Sequence, residues 1–142
     1  MNRKVGIGVL ALAFLAMLPA ARASEEDQAT KLTFSESVQI PGRVLAAGSY
    51  WFVLDPGTGA KVVRIFNSDR SILYATLQTV SAKHLESRDK TEITSVDRGG
   101  TRPEAIVTWF YPGRTIGHEF VYSKQEQRDL ARDKQKVVVM GD

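Results

Sequence analysis

Ser49-Tyr-Trp-Phe-Val-Leu54, Asp55-Pro-Gly-Thr-Gly59 and Lys61-Val-Val-Arg-Ile-Phe66 are the stretch on which the fold turns. The first and last pieces are rich in aromatic and β-branched residues, which fit a pleated, half-buried surface. Successive side chains on a strand point to opposite faces. Tyr50, Phe52 and Leu54 therefore share one face, and Trp51 and Val53 the other. Between the pieces, Pro56 presets φ and the glycines supply positive φ, so the chain turns there. Residues 49–54 and 61–66 read as a β-hairpin.

The same rhythm runs outward in both directions. Lys31 to Ile40 alternates through Leu32, Phe34, Val38 and Ile40, with a break at Glu36. Pro41-Gly42 turns the chain toward a short strand at Val44-Leu45. Asn67-Ser-Asp-Arg70 is a second hairpin turn, leading into a strand over 71–80. Further strands are expected over 91–96, 104–111 and 116–122, separated by turn-forming segments at 87–90, 97–103 and 112–113. Seven or eight short strands with regular turns specify a mainly β fold: an antiparallel sandwich or a small barrel. No strand–helix–strand rhythm suggests a doubly wound fold.

The pattern changes at Ser123-Lys-Gln-Glu126, a capping box in which Ser caps the helix and Glu bonds back. A polar surface helix is expected over about 124–136, with Leu130 and Ala131 as a thin contact stripe. Asp129 and Arg132 could pair across one turn. Val137-Val-Val-Met140 is too apolar for an idle tail, and reads as a last strand or a docked segment.

The N-terminus carries a different signal. Arg3 and Lys4 precede fourteen residues, Val5 to Leu18, without a charge. Pro19 follows, and Ala21-Arg-Ala23 places small residues where a signal peptidase reads them. The run is too short for a spanning helix, which needs about 20 apolar residues. Cleavage is expected between Ala23 and Ser24. The organisation expected is a signal peptide over 1–23, a flexible leader over 24–30, a β-domain over 31–122 and a C-terminal helix and tail over 123–142. The product would be exported to the periplasm or the exterior, with no membrane span after cleavage.

Removing that segment changes the charge. Three of the 19 Lys and Arg residues lie within it, and none of the 16 Asp and Glu. Loss of 23 of 142 residues leaves 119, with 16 charges of each sign. The whole-chain pI of about 9.3 therefore comes from the targeting segment and gives no reason to expect nucleic acid as a partner. The chain has no Cys. Disulfides, thiolate metal sites and thiol nucleophiles are excluded, and stability must come from buried apolar area.

Two stretches carry a resemblance. Pro41-Gly-Arg-Val-Leu-Ala-Ala-Gly-Ser-Tyr-Trp-Phe52 resembles the P-G-x-x-L-x-A-G-x-Y-x-F opening of small exported bacterial β-domain proteins of unknown function. Trp109-Phe-Tyr-Pro-Gly113 with Gly117-His-Glu-Phe-Val-Tyr122 is similar to their second signature. The A-G-x-Y-x-F piece is also similar to the strand entry of immunoglobulin-like and prealbumin-like sandwiches. The resemblance implies an exported β-domain and supplies no catalytic residues.

Candidate chemistry is sparse. His84 and His118 are the only histidines, and His118 and Glu119 should point to opposite faces. No zinc motif, serine elbow or phosphate loop is present, so no metal or cofactor is expected. Glu104 and Glu119, on neighbouring strands, are the only pair suggestive of glycoside hydrolysis. Binding is the better reading. Trp51, Trp109 and Tyr111 could stack on sugars or contact a protein if they face outward. Pro112-Gly-Arg-Thr-Ile-Gly-His118 is a loop carrying the candidate binding residues Arg114 and His118, of which Arg114 could contact an anion or carboxylate. The expected function is a non-enzymatic binding or structural module of the cell envelope, with an envelope protein or a glycan as partner. A carbohydrate-binding module is the alternative, and a hydrolase-type enzyme the third reading. The sequence specifies no oligomeric state.

Overall fold

The computed structural model describes residues 28–55, 57, 61–84 and 86–140, with the backbone alone for 134–138 and 140. The expected signal peptide, its Ala23–Ser24 junction, and the leader as far as residue 27 lie outside the described residues, as do turn residues 56 and 58–60.

The fold is mainly β. Among the described residues, ten strands run in chain order as β1 (Ala29–Phe34), β2 (Val38–Ile40), β3 (Arg43–Leu45), β4 (Gly48–Leu54), β5 (Val62–Asn67), β6 (Leu73–Lys83), β7 (Thr91–Asp97), β8 (Glu104–Phe110), β9 (Ile116–Phe120) and β10 (Lys134–Met140). One helix, α1 (Lys124–Leu130), precedes β10. The expected hairpin is present: β4 pairs antiparallel with β5, with Phe52 opposite Ile65. The strands exceed the expected seven or eight because the break at Glu36 splits 31–40 into β1 and β2 and because residues 134–140 form β10. No helix among the described residues is long and apolar enough to cross a membrane.

One strand makes the sheet into two layers. The first half of β6 pairs with β5, ending at Gln78 opposite Val62. The second half pairs with β9, beginning at Thr79 opposite Phe120. β6 therefore belongs to a first sheet, β1-β4-β5-β6, and to a second, β6-β9-β8-β7-β10. The inner faces meet through aromatic rings. Phe52 of the first sheet lies 6.0 Å from Trp109 and 6.1 Å from Phe120 of the second, both edge-on. Phe52, Trp109, Ile65, Ile40 and Val63 are fully enclosed.

The antiparallel expectation holds with one exception, since β2 pairs parallel with β8. β8 shares that edge between two partners, β2 at Glu104 and Ala105 and β9 at Thr108 and Trp109. The intervening Ile106 carbonyl accepts a hydrogen bond from the Tyr122 hydroxyl at 2.7 Å. The same hydroxyl lies 3.2 Å from the Gln39 carbonyl. Burial, then the nearby Glu126 carboxylate, raises the Tyr122 pKa, so the donor keeps its proton.

The ends of the domain differ from expectation. Gln28 is buried and its carbonyl accepts from the Leu54 amide, so 28–30 belong to the sheet edge and not to a leader. The capping box forms as expected, with Glu126 N–H donating to Ser123 Oγ and Ser123 N–H to Glu126 Oε1. Glu126 also accepts from the Gly42 amide, and Leu130 packs on the core, so the helix is docked. It ends at Leu130 and does not reach 136. Residues 134–140 instead pair with β7 in seven consecutive registers. A polar helix with a thin apolar stripe gains little from packing, whereas a strand beside β7 satisfies its backbone groups along one edge. Arg132 makes no described ion pair with Asp129; nearby, Asp133 pairs with Arg98 at 3.7 Å and Arg102 at 3.8 Å.

Two substitutions test this arrangement. Ser123→Ala should lower stability by about 0.5–2 kcal/mol in urea unfolding, by loss of the cap on a docked helix. At Gly117, an added Cβ would stand 2.5 Å from the Trp109 carbonyl and 2.6 Å from the Phe110 ring. Gly117→Ala should therefore cost about 1–3 kcal/mol by overpacking, and a wild-type unfolding midpoint would contradict the stated β8–β9 contact.

Candidate functional site

The expected site residues scatter. Trp109 is enclosed between the sheets and Tyr111 is buried in the same core, so neither forms a surface platform. The register irregularity at Thr94/Ser95 lets Trp109 share the inner face with Ile106, which strict alternation would have set on the opposite side. The enclosed indole Nε1 has no hydrogen-bond partner among the described atoms. Burying a Trp removes about 150–250 Å² from water, worth about 4–6 kcal/mol at 25 cal/mol per Å². That exceeds the cost of about 1–3 kcal/mol for one unmade bond.

His118 is buried too, while Glu119 is exposed, as the alternation required. Its ring lies 5.4 Å from that of Trp109, and its Nε2 is 3.3 Å from Gln28 Oε1. Burial, helped by the positive charge of Arg114, pushes its pKa down to about 4. A neutral, enclosed imidazole of this kind is a core hydrogen-bonding group. Arg114 is half-buried, and its positive charge acts on His118. Glu104 accepts from Ser95 at 2.8 Å on the inner side, whereas Glu119 stands on the outer face, so the two carboxylates do not converge.

Sequence reasoning missed a second polar cluster. Glu92, at the start of β7, has a side chain only 2% exposed. His84 Nε2 approaches one of its oxygens at 2.6 Å, and Arg88 Nε the other at 2.7 Å. The His84 ring stacks on Phe110 at 3.5 Å. The Arg88 carbonyl accepts from Gly113, and the His84 amide donates to Thr115. These contacts fasten His84 and Arg88 over the outer face of β7 and β8. Every carboxylate oxygen is taken, which fits a structural clasp.

A cavity of about 360 Å³ opens between the β1–β2 connection and β7–β8. Phe34, Ile93 and Ile106 form its apolar side, and Glu36, Asp97 and Glu104 its polar side. Groups of three or more metal-ligating side chains are absent among the described residues, this cavity included.

Trp51 is the one expected aromatic that faces outward. Registers across the first sheet align Lys31, Trp51, Phe66 and Leu73 in a single row. Leu73 is 49% exposed and its neighbour Ile72 51%. The Trp51 Nε1–H donates to the Ser68 carbonyl at 3.0 Å, and the Arg70 guanidinium lies 4.2 Å from the ring centre. Arg70 adopts φ 62°, the left-handed region that L side chains avoid. The turn holds it there. The Arg70 amide donates to the Asn67 carbonyl, the Asn67 amide to the Ile72 carbonyl, and the Ile72 amide to Asn67 Oδ1. The sequence showed Asn67–Arg70 as a turn. A left-handed Arg stacked on a tryptophan of β4, the strand before the one that leads into the turn, was not readable from it.

The buried histidine predicts a pH dependence. The unfolded chain takes up a proton near pH 6.5, the folded one only near pH 4. This contribution is therefore complete above pH 6.5 and is lost as pH falls toward 4. The loss amounts to about 3 kcal/mol at 1.36 kcal/mol per unit. Urea unfolding at pH 7 and pH 4.5 should show the drop, and His118→Gln should flatten it; an unchanged slope in the variant would assign the dependence elsewhere.

Searches against protein-family models, curated proteins and solved structures return no match for this chain, so the site rests on its own geometry.

Proposed function

We propose that this chain is an exported, non-enzymatic binding module of the bacterial cell envelope whose binding face is the outer surface of the first sheet. The observation that carries the reading is the aligned row Lys31–Trp51–Phe66–Leu73, flanked by Ile72 and capped by Arg70. Large apolar side chains placed together in water, beside a tryptophan and an arginine, are the usual composition of a protein contact. The N-terminal charge, apolar run and Ala-x-Ala junction support export, as does the resemblance to small exported bacterial β-domains.

A protein partner is favoured over a glycan by what surrounds Trp51. Sugars stack on open aromatic faces, but here the guanidinium lies over the ring and the indole N–H is already bonded. The remaining contact area is aliphatic. Trp109 and Tyr111, the other candidate platforms, lie in the core.

The test is site-specific photo-crosslinking in intact producing cells. A photoreactive residue at Leu73 should yield a discrete protein adduct outside the cytoplasm, and one at the exposed Val80 of β6 should not. Equal labelling at both positions, or adducts confined to the cytoplasm, would overturn the reading.

A further inference from the structure

The binding face carries two cations that make no ion pair among the described residues. Arg64, one row away, pairs with Asp55 at 2.8 Å and is accounted for. Arg70 and Lys31 are different. Both are exposed, both flank Trp51, and neither makes an ion pair among the described residues. The nearest acid in sequence, Asp69, is turned toward Ser71, accepting from its amide at 3.0 Å and its hydroxyl at 2.6 Å. Its pKa is lowered by the Ser71 side-chain bond first and the backbone bond second, so it stays ionised where it is.

Arg70 is also pre-positioned. Stacking on the indole fixes the guanidinium plane, and the turn fixes the backbone. A guanidinium so held presents its N–H edge with less entropy left to lose, and its fork matches a carboxylate with two parallel hydrogen bonds. Leu73 and Phe66 provide an apolar shelf beside it.

We infer that this face docks an extended peptide segment of a partner protein in which carboxylates flank a large apolar side chain. A carboxylate meets Arg70, with Lys31 attracting a second acidic group along the row, and the apolar side chain lies on Leu73 and Phe66. The inference rests on the reading of this surface as the binding face and adds the partner's chemistry to it.

Fluorescence anisotropy with three labelled probes tests it on the folded protein. One is a short peptide of Leu and Phe interspersed with Asp and Glu. The second replaces each acid by Lys. The third is an oligogalacturonate, an anionic glycan without apolar side chains. The acidic peptide should bind and weaken with added salt, and the other two should not bind. Arg70→Gly is the decisive variant. It removes the cation and relieves the left-handed backbone, so misfolding is not at issue. It should weaken the acidic peptide about tenfold or more, the factor corresponding to one lost charge-assisted contact. Wild-type affinity in Arg70→Gly, equal binding of the basic peptide, binding of the glycan in place of the peptide, or no binding by any probe would each overturn the inference. If Leu73→Asp abolishes binding that shows no charge preference and survives Arg70→Gly, the face stands as a docking surface and the acidic partner is refuted.

Discussion

Phe52 is the contact on which the two layers depend. Its ring meets Trp109 and Phe120 edge-on across the sheet interface. Each such aromatic pair adds about 0.5–1.5 kcal/mol beyond the area it buries. The contact exists because β6 changes partners between Gln78 and Thr79. With that change, β4 faces β8 and β9. Had β6 stayed with β5 throughout, Phe52 would have lined one face of a flat sheet in water. The strand crossing and the aromatic contact support one another.

Closing the interior on rings dictates how polar groups are treated there. Trp109 is enclosed without a partner for its indole N–H, and His118 is held neutral against it. Both are tolerated because the apolar area buried around them is worth more than one lost hydrogen bond or a suppressed charge. Where an unmade bond would fall on the backbone, the fold supplies a donor: Tyr122 reaches the Ile106 carbonyl that β2 and β9 leave between them. Glu92, enclosed on the other side of the second sheet, is met by His84 and Arg88. Polar chemistry inside this domain is spent on holding it together.

Consequently, function is sought on the outside. The first sheet turns its aromatic row to solvent, and the turn at Asn67–Arg70 decorates that row with a fixed guanidinium. The strained φ of Arg70 costs energy that the four-residue turn must offset, and the stacking on Trp51 is the visible gain. The cavity beside β7 has an acidic side and an apolar side, but its Ser95–Glu104 bond already employs its innermost polar groups.

The sequence by itself determined the strands, because alternation of apolar side chains has a period of two and is read locally. It determined the β4–β5 hairpin, the capping box at Ser123 and the opposite orientations of His118 and Glu119, each a matter of a few neighbouring residues. Only the tertiary structure decided which face of each strand would be covered. Trp51 and Trp109 both lie in strands dense with aromatics, yet one faces water and the other is enclosed, because burial depends on the layer packed above. The same reason explains the ends. Local preference extended the helix to 136, but an open edge of β7 claimed residues 134–140 for a ladder. Arg70 is the furthest from being legible. Its role comes from a left-handed turn and a tryptophan on β4, two strands back along the chain, and spacing along the chain records neither.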